Sequence, residues 1–302
     1  MIYICAQPAI KYYAWQIDVF IHSLLKNNIQ PENIHIASAL VEELDDSFKK
    51  LIEKYPGVIF EFYQDDRVYK NYAPSIKPHL LKKHFQKHQW LQQKTIFLMD
   101  ADSVLIKPID FTGMLTDDIW YFSDCNGYLN YGYIMTHGEE TLDAMLKTAD
   151  ISKYVVWKNN ENSGGAQYLM KNVEIDFWKE VEDMSHDLYL TMHKIIEEKG
   201  SLPEGQNHIQ IWTAEMWAMQ WNAWKKGKMT LIHPELDFCW ATDEIIRWDN
   251  TSIYHNAGVT CSCQNLFHKT KYIEEFPPLD LEVDKERCSY NYYELLKTAL
   301  KT

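Results

Sequence analysis

The chain reads as an α/β protein: a mostly parallel central sheet flanked by helices, followed by a less regular C-terminal half. Three observations predict this. Strand-length apolar runs recur at Ile2–Ala6, Asn33–Ala39, Val58–Tyr63, Thr95–Met99 and Ile119–Ser123. Between them lie segments whose apolar residues repeat with a helical period, and such alternation builds parallel sheets covered on both faces. The fourth run then ends in Asp100-Ala101-Asp102, and ligands of such sheets bind at the carboxyl ends of the strands.

Each element follows in order. Ile2–Ala6 is apolar enough for a buried opening strand. Tyr13–Lys26 puts Ile17, Phe20, Ile21, Leu24 and Leu25 at helical spacing, and Asn27-Asn28 ends that helix. Pro31 marks the loop before the second strand. Glu42–Tyr55 predicts a helix closed by Pro56-Gly57, with the third strand directly after it. Residues 75–90 contain a helix that starts near Pro78. Beyond the fifth strand, helices are expected near 165–172, 176–199 and 213–226, and short strands near 229–232 and 252–255. A final helix is expected over Tyr290–Lys301. No internal repeat, low-complexity segment or Pro/Ser-rich linker divides the chain. The expectation is one domain over 1–302, with parts at 1–125, 126–279 and 280–302.

Composition narrows the function. Apolar residues make up 46% of the 302, which suits a packed core and excludes a disordered chain. Aromatics reach 14%, with 11 Trp and 19 Tyr, which suits either a cleft for flat hydroxyl-rich ligands or an aromatic core. A formal net charge of -13 argues against tight non-specific binding of nucleic acid, which needs a basic face. A local basic groove stays open around Lys77, Lys82, Lys83, Lys87 and Lys94. Met1-Ile2-Tyr3-Ile4-Cys5 lacks the basic start of a secretory leader, and no apolar run approaches the ~20 residues of a membrane span. The six cysteines show no zinc-like spacing, so reduced thiols in a cytoplasmic protein are expected. Cys261-Ser262-Cys263 is the soft-metal alternative.

Asp100 and Asp102 carry the chemistry. In extended backbone, residues i and i+2 face the same way, so both carboxylates approach one point. Two hard oxygen ligands suit Mg²⁺ or Mn²⁺, which readily shares them with a diphosphate. An ion so placed neutralises charge on a departing phosphate. The same letters also suit an Asp-rich turn that satisfies local backbone N–H groups. In its context the pattern resembles the GT-A-type glycosyltransferases, sugar-nucleotide-dependent enzymes with a D-x-D metal motif. Three further segments carry the resemblance: the opening strand and its helix, Asn162-Ser163-Gly164-Gly165-Ala166-Gln167, and Tyr254-His255-Asn256-Ala257-Gly258. It extends more distantly to peptidyl-serine galactosyltransferases and hydroxyproline arabinosyltransferases. The resemblance implies a nucleotide-binding half at 1–125, a sugar and acceptor half at 126–279 and a helical tail at 280–302. It also implies a UDP-linked donor and Mn²⁺ or Mg²⁺ held by Asp100, Asp102 and His255, the imidazole being a borderline ligand beside the carboxylates.

The remaining candidates gather around that expectation. Gly164 and Gly165 before a helical pattern would offer bare backbone N–H groups to a sugar or phosphate, with Gln167 pointing from the first turn toward the sugar. Glu215, in Trp212-Thr213-Ala214-Glu215-Met216, is similar to a W-x-x-E-M segment of the look-alike families. It would position an acceptor hydroxyl or stabilise charge on the sugar ring, or else it compensates a helix dipole. Asp237, among aromatics, is a second acidic candidate. Lys77 and Lys269 would offset diphosphate charge, and Asp124 would bind sugar. The acceptor is a hydroxyl on a DNA base, a protein or a glycan. Richness in Asn, Lys, Ile and Tyr, of the kind AT-rich viral genomes encode, brings in a hydroxymethylated base, which would require a basic groove and base extrusion. Two other classes compete. A nucleotidyltransferase would carry a glycine-rich loop after the first strand, where Gln7-Pro8-Ala9-Ile10-Lys11 has none. A non-catalytic sugar-binding module would explain the aromatics without chemistry.

Overall fold

The computed structural model describes residues 1–302 except 42, 261–264 and 302. The soft-metal alternative at Cys261 and Cys263 therefore lies outside the described residues. Among the described residues ten strands follow in chain order: β1 (Ile2–Pro8), β2 (Ile34–Leu40), β3 (Ile59–Gln64), β4 (Thr95–Met99), β5 (Ser103–Leu105), β6 (Trp120–Asp124), β7 (Gly164–Lys171), β8 (Thr230–Ile232), β9 (Phe238–Trp240) and β10 (Ile253–His255). Seven of them, β1–β4 and β6–β8, belong to a mostly parallel central sheet, and β5, β9 and β10 form a second, three-stranded one. Helices flank the sheet, as the alternation of patterns predicts. Two compact units interleave along the chain: residues 1–65, 97–113 and 234–302 make one, and 66–96 with 114–233 make the other.

In the first unit the sheet order is β3-β2-β1-β4, with β1, β2 and β3 paired in parallel. Residues 2–6 of β1 are all buried, which explains why that run is apolar without alternation. The first helix spans Lys11–Lys26 and the second Asp46–Lys54. The second starts later than the expected Glu42 because Asp45 caps it, its carboxylate accepting from Ser47 N at 2.8 Å. The C-terminal helix, Cys288–Lys301, packs Tyr292, Tyr293 and Leu296 into a core with Trp15, Tyr254 and Phe267.

In the second unit β7, β6 and β8 are neighbours in that order; β6 runs antiparallel to β7 and parallel to β8. Residues 164–171 are a strand, not the expected helix. All eight positions of β7 are buried, so its apolar letters form a run rather than a stripe. A fully buried strand and a buried helix look alike over so short a window. The helix at Ile76–Lys87 contains Pro78 in its first turn, where no intrahelical N–H is lost. The long helix Ile175–Lys199 packs against Ala214–Lys225 and Ile76–Lys87.

Cys5, Cys125, Cys239 and Cys288 are buried and not joined in disulfides. No helix among the described residues is long and apolar enough to cross a membrane.

Candidate active site

In the first unit, β4 and β5 are joined by Asp100-Ala101-Asp102. The connection is a tight turn, closed by Ser103 N donating to Asp100 O at 3.0 Å. The two carboxylates therefore meet because of a turn, not because of alternation along one strand. β5 pairs antiparallel with β10, and this register sets His255 opposite Ser103. Asn256 N donates to Asp102 O at 2.8 Å and extends that pairing by one residue. As a result the ligand atoms of Asp100, Asp102 and His255 all lie within 4.8 Å of one another.

Asp102 is held from two sides. His255 Nε2 lies 3.3 Å from its Oδ1, and Lys269 Nζ contacts its Oδ2. Burial alone would push this carboxyl up, but Lys269 and His255 outweigh it and hold the group well below the usual carboxylate range. For Lys269, burial disfavours the ammonium, and the Asp102 charge more than compensates, so its pKa rises. The His255 ring stacks on Trp240 at 5.4 Å and 21°, which fixes its plane. Two carboxylates and one imidazole are the oxygen and nitrogen donors that suit Mn²⁺ or Mg²⁺. His255 Nδ1 is also buried without a hydrogen-bond partner among the described residues, as expected where an ion completes a site.

A second cluster lies within the other unit. Lys77 Nζ and Glu215 Oε2 pair at 3.3 Å, and Glu215 is only 3% exposed. Tyr72 ties this pair to the neighbouring chain: its hydroxyl accepts from Glu215 N at 2.9 Å and donates to Trp212 O at 2.6 Å. Glu215 occupies the first turn of the Ala214–Lys225 helix, so the dipole and Lys77 favour the same charge.

The glycine segment differs from expectation. With residues 164–171 in β7, Gly164 and Gly165 do not open a helix, and Gln167 does not project from one. Gln167 is 0% exposed and accepts a hydrogen bond from Ser123 Oγ at 2.7 Å. A Cβ on Gly164 would meet Phe122 Cβ at 2.4 Å and the Ser123 carbonyl oxygen at 2.8 Å. A Cβ on Gly165 would chiefly meet the tip of Met216, at 2.2 Å, which can move. Gly164→Ala should therefore cost about 1–3 kcal/mol or more, and Gly165→Ala distinctly less. Urea unfolding of both variants checks the ordering; equal losses would remove the packing account.

Asp237 does not sit in an aromatic pocket. It is about half exposed and pairs with Arg247 at 3.0 Å, and Arg247 also donates to Phe238 O. Asp124 is exposed and accepts from Asn126 N at 2.8 Å, which is a turn role. The parts that sequence inspection does not single out are Tyr72 and Trp240. Each acts on a partner distant in the chain, so no local spacing marks it.

No family model matches the chain, and no curated protein does. Solved structures do. The apo structure of the bifunctional glycosyltransferase WbbM aligns over 98% of this chain at 11% identity and a TM-score of 0.48. This chain spans about half of that one, 49%. The galactosyltransferase LgtC, solved with donor and acceptor sugar analogues, aligns over 98% of this chain and 95% of its own length, with 12% identity and a TM-score of 0.50. The chain thus has a GT-A-type fold.

Proposed function

We propose that this chain, with its GT-A-type fold, is a metal-dependent glycosyltransferase that moves a sugar from a nucleoside diphosphate, with UDP as the nucleotide, to a hydroxyl. The observation that carries this is the convergence of Asp100, Asp102 and His255 within 4.8 Å, just past the carboxyl end of β4. Those three side chains would hold Mn²⁺ or Mg²⁺; bound there, the ion would offset charge on the leaving diphosphate. Lys269, already on Asp102, is a fixed cation in the same cluster. It can attract a diphosphate oxygen without reorganising.

We assign Glu215, paired with Lys77, the role of orienting the acceptor hydroxyl or stabilising charge on the sugar ring. Gly164, Gly165 and Gln167 stay candidates for the sugar side, as residues of β7 rather than of a helix terminus. Asp237, engaged by Arg247, is the weaker acidic candidate. Richness in Asn, Lys, Ile and Tyr supports a viral, cytoplasmic setting.

The test is thermal stabilisation by a panel of nucleoside diphosphates, each with and without Mn²⁺. A ligand that binds only the native state must raise the melting temperature, by about 2.7 kcal/mol of stability at a hundred times its Kd. A shift with UDP that requires Mn²⁺ is the expected result. No shift with any nucleotide would overturn the proposal and favour a sugar-binding module without catalysis.

A further inference from the structure

The second unit contains a cavity of about 380 Å³ that none of the assigned residues uses. Its lining includes Gln206, Asn207, His208 and Ile209 together with Thr136, His137 and the aliphatic Ile195. The volume suits a ligand of one to two sugar rings. Its charge is informative. In a chain of net charge -13, the lining contains no carboxylate. Its one formal cation, Lys199, is balanced by Glu140 at 3.0 Å and also donates to Thr141 Oγ1. Burial, with help from Lys199 and His208, pushes the His137 imidazole down. The cavity thus presents amides, hydroxyls and imidazoles, donors and acceptors without net charge.

The chain continues from that lining to an exposed aromatic. Gln210 N is held by the Tyr133 hydroxyl at 3.2 Å, and the Tyr133 ring packs on His137 at 4.8 Å. Two residues on, Trp212 is 68% exposed, although its backbone is pinned by the Tyr72 hydroxyl that also holds Glu215 N. A large ring on a fixed backbone, left in water, is a platform in search of a flat partner. Residues 206–215 therefore run from a neutral polar lining, through an exposed aromatic face, to a buried carboxylate.

We infer that this cavity and Trp212 bind a neutral saccharide, and that it is the acceptor. The acceptor role rests on the transferase proposal; the saccharide site does not. A sugar ring has a C–H face for an indole and a hydroxyl edge for amides and imidazoles. A nucleic acid would require unpaired cations for its phosphates, and the one lysine here already has its counterion.

The test is saturation-transfer NMR on the full chain with lactose, cellobiose and maltose as probes. A duplex carrying hydroxymethylated cytosine and a serine-rich peptide serve as rivals. Wild type should transfer saturation to at least one disaccharide. Trp212→Ala and Asn207→Ala should each weaken that by about tenfold, at an unchanged melting temperature, and Trp212→Phe should restore most of it. Absence of disaccharide binding in wild type, binding that survives both alanine variants, or binding of only the duplex or only the peptide would overturn the site. The UDP and Mn²⁺ shift, measured on the same samples, keeps the outcomes separate. Saccharide binding without that shift would leave the site standing and remove the acceptor role. The shift without saccharide binding would remove the site, and its acceptor role with it, and leave the transferase proposal standing.

Discussion

Asp102→Asn should lose turnover by about a hundredfold or more while keeping the turn in which it sits. The two effects separate because Asn and Asp serve a turn about equally well, whereas only the carboxylate offers a charged oxygen ligand. Removing one preorganised electrostatic contact at a reacting centre typically costs about 10²–10³ in rate. The amide would also leave the Lys269 ammonium without its counterion, since that group now contacts Asp102 Oδ2. The metal-free variant should therefore melt below wild type, and Mn²⁺ should no longer raise its melting temperature. Turnover of a UDP-sugar and a Mn²⁺ titration by melting temperature read both effects. Full turnover in Asp102→Asn would mean that Asp100-Ala101-Asp102 is only a connection between β4 and β5.

The second large effect concerns Lys77 and Glu215. Glu215→Ala should destabilise the protein by about 3–5 kcal/mol, because it breaks a buried ion pair by removing the carboxylate from beside the Lys77 ammonium. Replacing both residues by methionine should cost less than that single change, since a well-packed apolar pair leaves no buried charge. Urea unfolding of the two singles and the double gives the coupling. Glu215→Gln then separates structure from chemistry. A folded variant that has lost turnover supports the role beside the acceptor. A folded variant with full turnover would assign the pair to stability alone.

Much of the first unit is legible in the letters. β1, β2 and β4 are largely buried apolar runs, so composition marks them; β3 is only half-buried, and β4 has the bounds its sequence predicts. The metal candidates were legible for a related reason: Asp100 and Asp102 interrupt an apolar context abruptly. What the letters hid is how they converge, because β5 and β10 are three residues each, too short for any periodic signal. β7 was misread for a different reason. Gly164-Gly165-Ala166-Gln167 carries no β-branched residue, and its pairing within the sheet, antiparallel with β6, makes it a strand. Asp237 was misjudged because its neighbours in sequence are aromatic while its partner in space is Arg247. Lys77 was expected at a diphosphate. Its partnership with Glu215, 138 residues away, leaves no local trace.

Lys269 reaches Asp102 across 167 residues of chain. Closing a loop of that length is entropically costly, so the ligand set belongs to the finished fold and not to any early nucleus. Contacts absent from the folding transition state act on the unfolding rate. An ion held by Asp100, Asp102 and His255 would thus lengthen the lifetime of the native molecule without hastening its formation, and a chelator would shorten that lifetime while refolding kept its pace.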